Sequence, residues 1–132
     1  SLDTVYTFAR IKIPSLLIKG CRLAHTKTIE SYTMHIAILT FDAFNELDSI
    51  IALGILNRVQ QPGWKVSIAS PNETVTSMNG LTIKSQISLE EAAFADAVII
   101  GSGMKTREIA DDAALMQRLK LSNEKQLLAS QC

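Results

Sequence analysis

The sequence predicts an α/β domain, a three-layer sandwich around a mainly parallel sheet. Three observations predict it. Short, almost wholly apolar runs rich in β-branched residues ("HIAILTF", "DAVIIG") read as strands buried on both faces. Segments with helical period alternate with them, the rhythm of strand–helix–strand units. At 132 residues and 47% hydrophobic, the chain has material for one core but not two.

The elements follow in order. "HIAILTF" (35–41) is the first strand. "ELDSIIALGILNRVQQ" (46–61) is a helix whose apolar face is predicted as Leu47, Ile50, Ile51, Ile55 and Val59, stopped by Pro62-Gly63. "WKVSIAS" (64–70) is the next strand, and Asn79-Gly80 between two alternating segments signals a hairpin. Ser88 with Glu91 three residues on is a capping box opening a short helix. "DAVIIG" (96–101) is a strand, "TREIADDAALMQRLK" (106–120) a single helix by period, and "QLLASQ" (126–131) a final buried strand.

Composition sets further bounds. Net charge is zero, so no basic field argues for nucleic acid. Two cysteines, Cys21 and Cys132, are too few for a disulfide framework, and the expectation is a reducing, cytoplasmic setting. No apolar run approaches the ~20 residues that span a bilayer. Residues 1–33 carry five basic and two acidic side chains; the remaining segment carries eight and eleven. The expected organisation is therefore an N-terminal basic extension (1–33) outside the core, followed by the α/β domain (34–132). The extension reads as an irregular segment, as residues upstream of a start at Met34, or as a targeting peptide.

A parallel sheet places chemistry at the carboxyl ends of its strands, and three such ends are distinctive. The first is "FDAFNELDS", where Asp42, Glu46 and Asp48 surround a helix start, a place that favours carboxylates as caps and through the helix dipole. The second is Gly101-Ser102-Gly103, a tight turn whose N–H groups can face an anion, though it lacks the third glycine of a dinucleotide fingerprint and the lysine of a phosphate loop. The third is Cys132. A free cysteine is commonly a small buried hydrophobe; at a strand tip it can instead face a cleft. A carboxyl beside a thiolate stays protonated and donates to sulfur, which activates a cysteine without a histidine. No metal or organic cofactor is implied, since no C-x-x-C or H-E-x-x-H spacing occurs.

Taken in order, "IAILTFDAFNELD", "WKVSIASPNETVTSMNGLTIKSQISLEEA", "ADAVIIGSG" and "LLASQC" make residues 34–132 resemble the first half of the ThiJ/PfpI family, in the class I glutamine amidotransferase-like superfamily. The resemblance implies a flavodoxin-like, glutamine amidotransferase-like fold continuing beyond Cys132, and a homodimer when full length. It puts Cys132 on the family's nucleophilic, redox-sensitive cysteine and Asp48 on the acid that hydrogen-bonds it, an aspartate being similar to the isonitrile hydratase branch. Gly103 falls on the glycine whose N–H helps form the oxyanion hole. The expected function is cysteine-dependent hydratase, hydrolase or lyase chemistry on a small carbon electrophile. The alternative is a ligand- or redox-sensing domain, a regulator or stress chaperone, with nucleic acid a partner only if a helix-turn-helix extension follows. The sequence departs from the family in three places. Gly101-Ser102-Gly103 stands where proline-glycine-glycine is usual, Ile51-Ala52 replaces a glycine-proline pair, and neither His25 nor His35 sits where a family histidine would serve.

Overall fold

A computed structural model describes residues 33–131. The proposed extension, apart from Thr33, and with it Cys21 and His25, lies outside the described residues, as does Cys132.

Strand β1 (Met34–Leu39) lies at the centre of a five-stranded sheet, between β2 (Trp64–Ser70) and β6 (Ala97–Ile100). Strand β5 (Ile87–Ser88) extends the sheet beyond β2, and β7 (Leu127–Ser130) beyond β6, giving the order β5-β2-β1-β6-β7 with every pairing parallel. Strands β3 (Thr74–Thr76) and β4 (Thr82–Lys84) form a separate antiparallel hairpin, turned by Gly80 at φ 88. Positive φ at that position is the reason for glycine there.

The alternation of β1 divides the core. Ile36 and Ile38 face one side and pack with Val66, Ile68 and helix α1 (Glu46–Leu56) through Ala52, Leu53 and Leu56. Ala37 and Leu39 face the other side with Ala69 and Val98, covered by α2 (Leu89–Ala92), α3 (Thr106–Asp111) and α4 (Ala113–Arg118). Three layers result, and the apolar runs of β1 and β2 are apolar because both faces are buried.

Three details differ from expectation. The inward stripe of α1 is Ser49, Ala52, Leu53 and Leu56, so Leu47, Ile51 and Ile55 point outward at 65%, 49% and 54% exposure. Ile and Leu occupy more than one face of this helix, and period alone cannot choose between stripes. The predicted helix over 106–120 is two, broken at Asp112, whose extended backbone and side chain accepting from Leu115 N–H start α4 afresh. Finally, β7 is exposed along its length, because it is the sheet edge and no described element covers it. The capping box holds, with Ser88 and Glu91 satisfying each other's backbone N–H.

Candidate functional site

The connection that leaves β1 carries α1 on one face to β2; the connection that leaves β6 carries α3 and α4 on the other face to β7. The chain therefore leaves the carboxyl ends of β1 and β6 in opposite directions, opening a crevice at the switch point between them. The two turns that bound this crevice are 40–45 and 101–105.

Asn45 caps α1, its side-chain oxygen accepting from Leu47 N–H at 3.1 Å. None of the three carboxylates near this helix start is the cap, so each is free to reach elsewhere. Asp42 accepts from Thr76 N–H at 2.9 Å. Glu46 accepts from the Ser77 hydroxyl and from the Asn79 amide at 3.0 Å, and the Ser77 bond foremost holds its carboxyl below the usual range. Asp42 and Glu46 thus fasten the β3–β4 hairpin to the helix start. Asp48 turns the other way, toward the second turn: its Oδ2 accepts from Ser102 N–H at 3.2 Å and from the Ser102 hydroxyl.

The second turn presses hard against the first. Asn45 N–H donates to the Ser102 carbonyl at 2.9 Å and Met104 N–H to the Ala43 carbonyl at 3.0 Å, an antiparallel bridge pairing Phe44 with Gly103. A Cβ on Gly103 would lie 2.5 Å from the Ala43 oxygen, and one on Gly101 2.9 Å from Ser49 Oγ. Both glycines are present for closeness. Ala43 adopts φ 62, a left-handed conformation that costs an L residue about 1–2 kcal/mol. The Gly103 N–H makes no hydrogen bond to another described residue.

Beside this junction lies an apolar cleft of about 170 Å³, lined by Leu39, Phe41, Phe44, Ile100 and Ile109 with Ser102 and Gly103 at its polar edge. Strand β7 runs toward the same rim: Ser130 pairs with Ile100, and Gln131 N–H donates to the Ile100 carbonyl at 2.9 Å. The approach to β7 is fixed by buried Gln126. Its amide donates to the carbonyls of Ala92 (3.0 Å) and Ala95 (2.7 Å) and accepts from Ser122 N–H at 3.1 Å.

The predicted residues therefore stand as follows. Asp48 and the Gly101–Gly103 turn meet, and the direct partner of Asp48 is Ser102. Cys132 follows Gln131 in the chain and lies outside the described residues. His35 sits at the amino end of β1, across the sheet from this rim, with Nε2 at 3.1 Å from Ser67 Oγ; burial, then Lys65, lowers its pKa. Sequence reasoning passed over the Asn45 cap and the Ser102 hydroxyl. A cap signal was present in the Asn immediately before the helical period; a contact between residues 54 positions apart has no local signal. Among the described residues no group of three or more His, Cys, Asp or Glu could hold a metal ion, and no helix is long and apolar enough to cross a membrane.

The DJ-1/PfpI family profile matches residues 34–132. A ThiJ/PfpI family protein from Pseudomonas syringae superposes with TM-score 0.64 at 17% identity, over 86% of this chain and 49% of that one. A DJ-1 superfamily protein from Agrobacterium tumefaciens gives 0.55 at 25% identity, over 74% and 53%. Oxidised DJ-1 from Toxoplasma gondii gives 0.61 at 23% identity, over 76% and 56%. The chain spans about half the length of these solved structures, and the likeness shows the fold. No curated protein matches the sequence.

Proposed function

We infer function from one premise: the chain belongs to the DJ-1/PfpI family. On that premise the crevice is a thiol site. Cys132 is the nucleophile, Asp48 the acid that hydrogen-bonds its thiolate and returns a proton, and the Gly103 N–H a donor to developing negative charge. The observation that supports this reading is the meeting of Asp48 with the 101–103 turn, at the rim toward which β7 carries the chain. The Gly103 N–H, which donates to no other described residue, is the group an oxyanion would use.

The substrate class is a small carbon electrophile suited to an apolar cleft, with an isonitrile the leading member. The thiolate adds to the isonitrile carbon and that carbon takes a proton, giving a thioimidate. Water then adds across the C=N bond, and collapse expels the thiol and leaves an N-substituted formamide. Atoms balance without oxidant, metal or organic cofactor. The test is turnover of isonitriles and α-oxoaldehydes by the full chain: Cys132→Ser removes it if the reading holds, and undiminished turnover by that variant sinks it.

The relative described as oxidised favours a second reading, in which the same thiol records peroxide. Thiolate attack on peroxide gives sulfenic acid and hydroxide, and a second peroxide gives sulfinic acid. That reading requires two added oxygens on the Cys132 peptide after peroxide treatment, and no turnover. Either role suits a reducing compartment such as the cytoplasm.

The functional unit in this reading is a homodimer, and α1 offers the face. Leu47, Ile51 and Ile55 form an outward apolar ridge, and beside it a Cβ on Gly54 would meet nothing within 4 Å. A mid-helix glycine costs about 0.5–1 kcal/mol against alanine, and no described residue uses its smallness. A second α1 crossing at Gly54 would.

A further inference from the structure

We propose that a polar crevice beside the apolar cleft binds the zwitterionic head of a free α-amino acid whose apolar side chain enters the cleft. The proposal concerns binding alone and asks nothing of Cys132. The crevice, of about 380 Å³, lies where the turns after β1 and β2 face α3 and α4. Small-molecule sites occupy roughly 300–1,000 Å³, so a compact ligand fits. Phe41, Asp42 and Ile109 line both the crevice and the cleft, so the two adjoin along a common wall. One cavity suits an apolar group and the other a charged one, which together describe an amphipathic molecule.

The charges of the crevice select the head group. Arg118 and Lys105 supply positive charge; Asp42, Glu108 and Asp112 supply negative. A simple anion would meet three carboxylates and a simple cation two bases, whereas adjacent carboxylate and ammonium groups satisfy both sets. Arg118 is held ready. Its Nε and Nη2 donate to the Glu90 carboxylate at 2.7 and 3.4 Å, and Nη2 also donates to the Pro71 carbonyl at 3.1 Å. Its Nη1 donates to no other described residue, so a fixed guanidinium keeps one nitrogen for a ligand carboxylate at little entropic cost. Asp42 and Asp112 each spend one oxygen inside the chain, on Thr76 N–H and Leu115 N–H. Lys105 and Glu108 form no ion pair with a described residue. Opposite charges three positions apart on a helix can meet each other; these two line the crevice unpaired, as a lysine for the carboxylate and a glutamate for the ammonium.

The test is titration of the full chain with four probes, followed by amide NMR spectra. L-norleucine carries both charges and an apolar chain; hexanoate lacks its ammonium, pentylamine its carboxylate and glycine its side chain. The expected result is a saturable shift of the amides at Asn72 and Lys105–Arg118 by norleucine. Hexanoate and pentylamine bind about 2- to 5-fold more weakly, and glycine about 10- to 150-fold more weakly. Lys105→Gln weakens norleucine but not pentylamine, and Glu108→Gln weakens norleucine but not hexanoate. Both side chains are exposed and bonded to no described residue, so these variants keep the fold. Absence of a saturable norleucine shift, or a shift at residues away from the crevice, overturns the proposal. Equal binding of pentylamine or hexanoate overturns the zwitterionic head, equal binding of glycine overturns the link to the cleft, and unchanged variants overturn the roles of Lys105 and Glu108. None of these results bears on turnover, so the thiol reading stands or falls separately.

Discussion

Gly103 and Ala43 touch through backbone alone: a methyl on Gly103 would come within 2.5 Å of the Ala43 carbonyl oxygen and 3.0 Å of the Phe44 Cα. No flexible side chain is available to give way, so Gly103→Ala must separate the two turns that frame the crevice. The expected cost is about 1–3 kcal/mol, seen as a lower urea midpoint. Cys132 chemistry should fall further than stability, because the Ser102–Asp48 bonds depend on the same closeness. A variant of unchanged midpoint and unchanged reactivity would show that the turns do not need this contact.

Glu46 links the hairpin to the helix start in a way that depends on charge. Its folded pKa is lowered, chiefly by the Ser77 hydroxyl, so its contribution is present above the unfolded value of about 4.3 and is lost as pH falls through the folded one. Acid stability of the wild type should therefore decline across that window more steeply than that of Glu46→Gln. Parallel acid titrations by circular dichroism check this. Equal slopes would mean that the carboxylate carries no linkage.

Gln126 is buried and fully engaged, and its partners are main-chain groups, of which the Ala92 carbonyl alone also accepts from a backbone N–H, that of Ala95. Gln126→Leu keeps the bulk and strands the Ala95 carbonyl and the Ser122 N–H, at about 1–3 kcal/mol in a urea titration. Since Gln126 immediately precedes β7, the same variant should raise hydrogen exchange at Leu127–Ser130. Protection unchanged there would separate Gln126 from the placement of the strand.

The outward ridge of α1 gives a test whose sign discriminates. If two copies cross at Gly54, Gly54→Ala weakens association and Ile51→Lys abolishes it, measured by sedimentation. In a chain that uses this face for nothing, Gly54→Ala simply stabilises the helix by about 0.5–1 kcal/mol and the mass never changes.

The fold was largely legible because its strands are extreme. The run Ile36–Leu39 is apolar on both faces, which only a covered parallel strand requires. The hairpin and the capping box were legible because Gly80 and the Ser88–Glu91 pair act locally. What failed was orientation and exposure. The outward turn of Leu47 and Ile51 depends on which stripe the sheet accepts, and the exposure of Leu127 depends on what lies over the edge strand. Neither quantity belongs to the residue itself. The break at Asp112 was hidden because an aspartate inside a helical period reads equally as a surface residue or as a new cap. At the site, topology alone brought Asp48 and the 101–103 turn to one rim; the hydroxyl of Ser102 between them required coordinates.

The central claim is a contact between sulfur and carboxyl, and the most direct measurement is an experimental structure of the full chain that includes Cys132. The account predicts Cys132 Sγ within hydrogen-bond reach of the Asp48 carboxyl. A sulfur sealed in apolar packing, with the Asp48 carboxyl out of its reach, would contradict it.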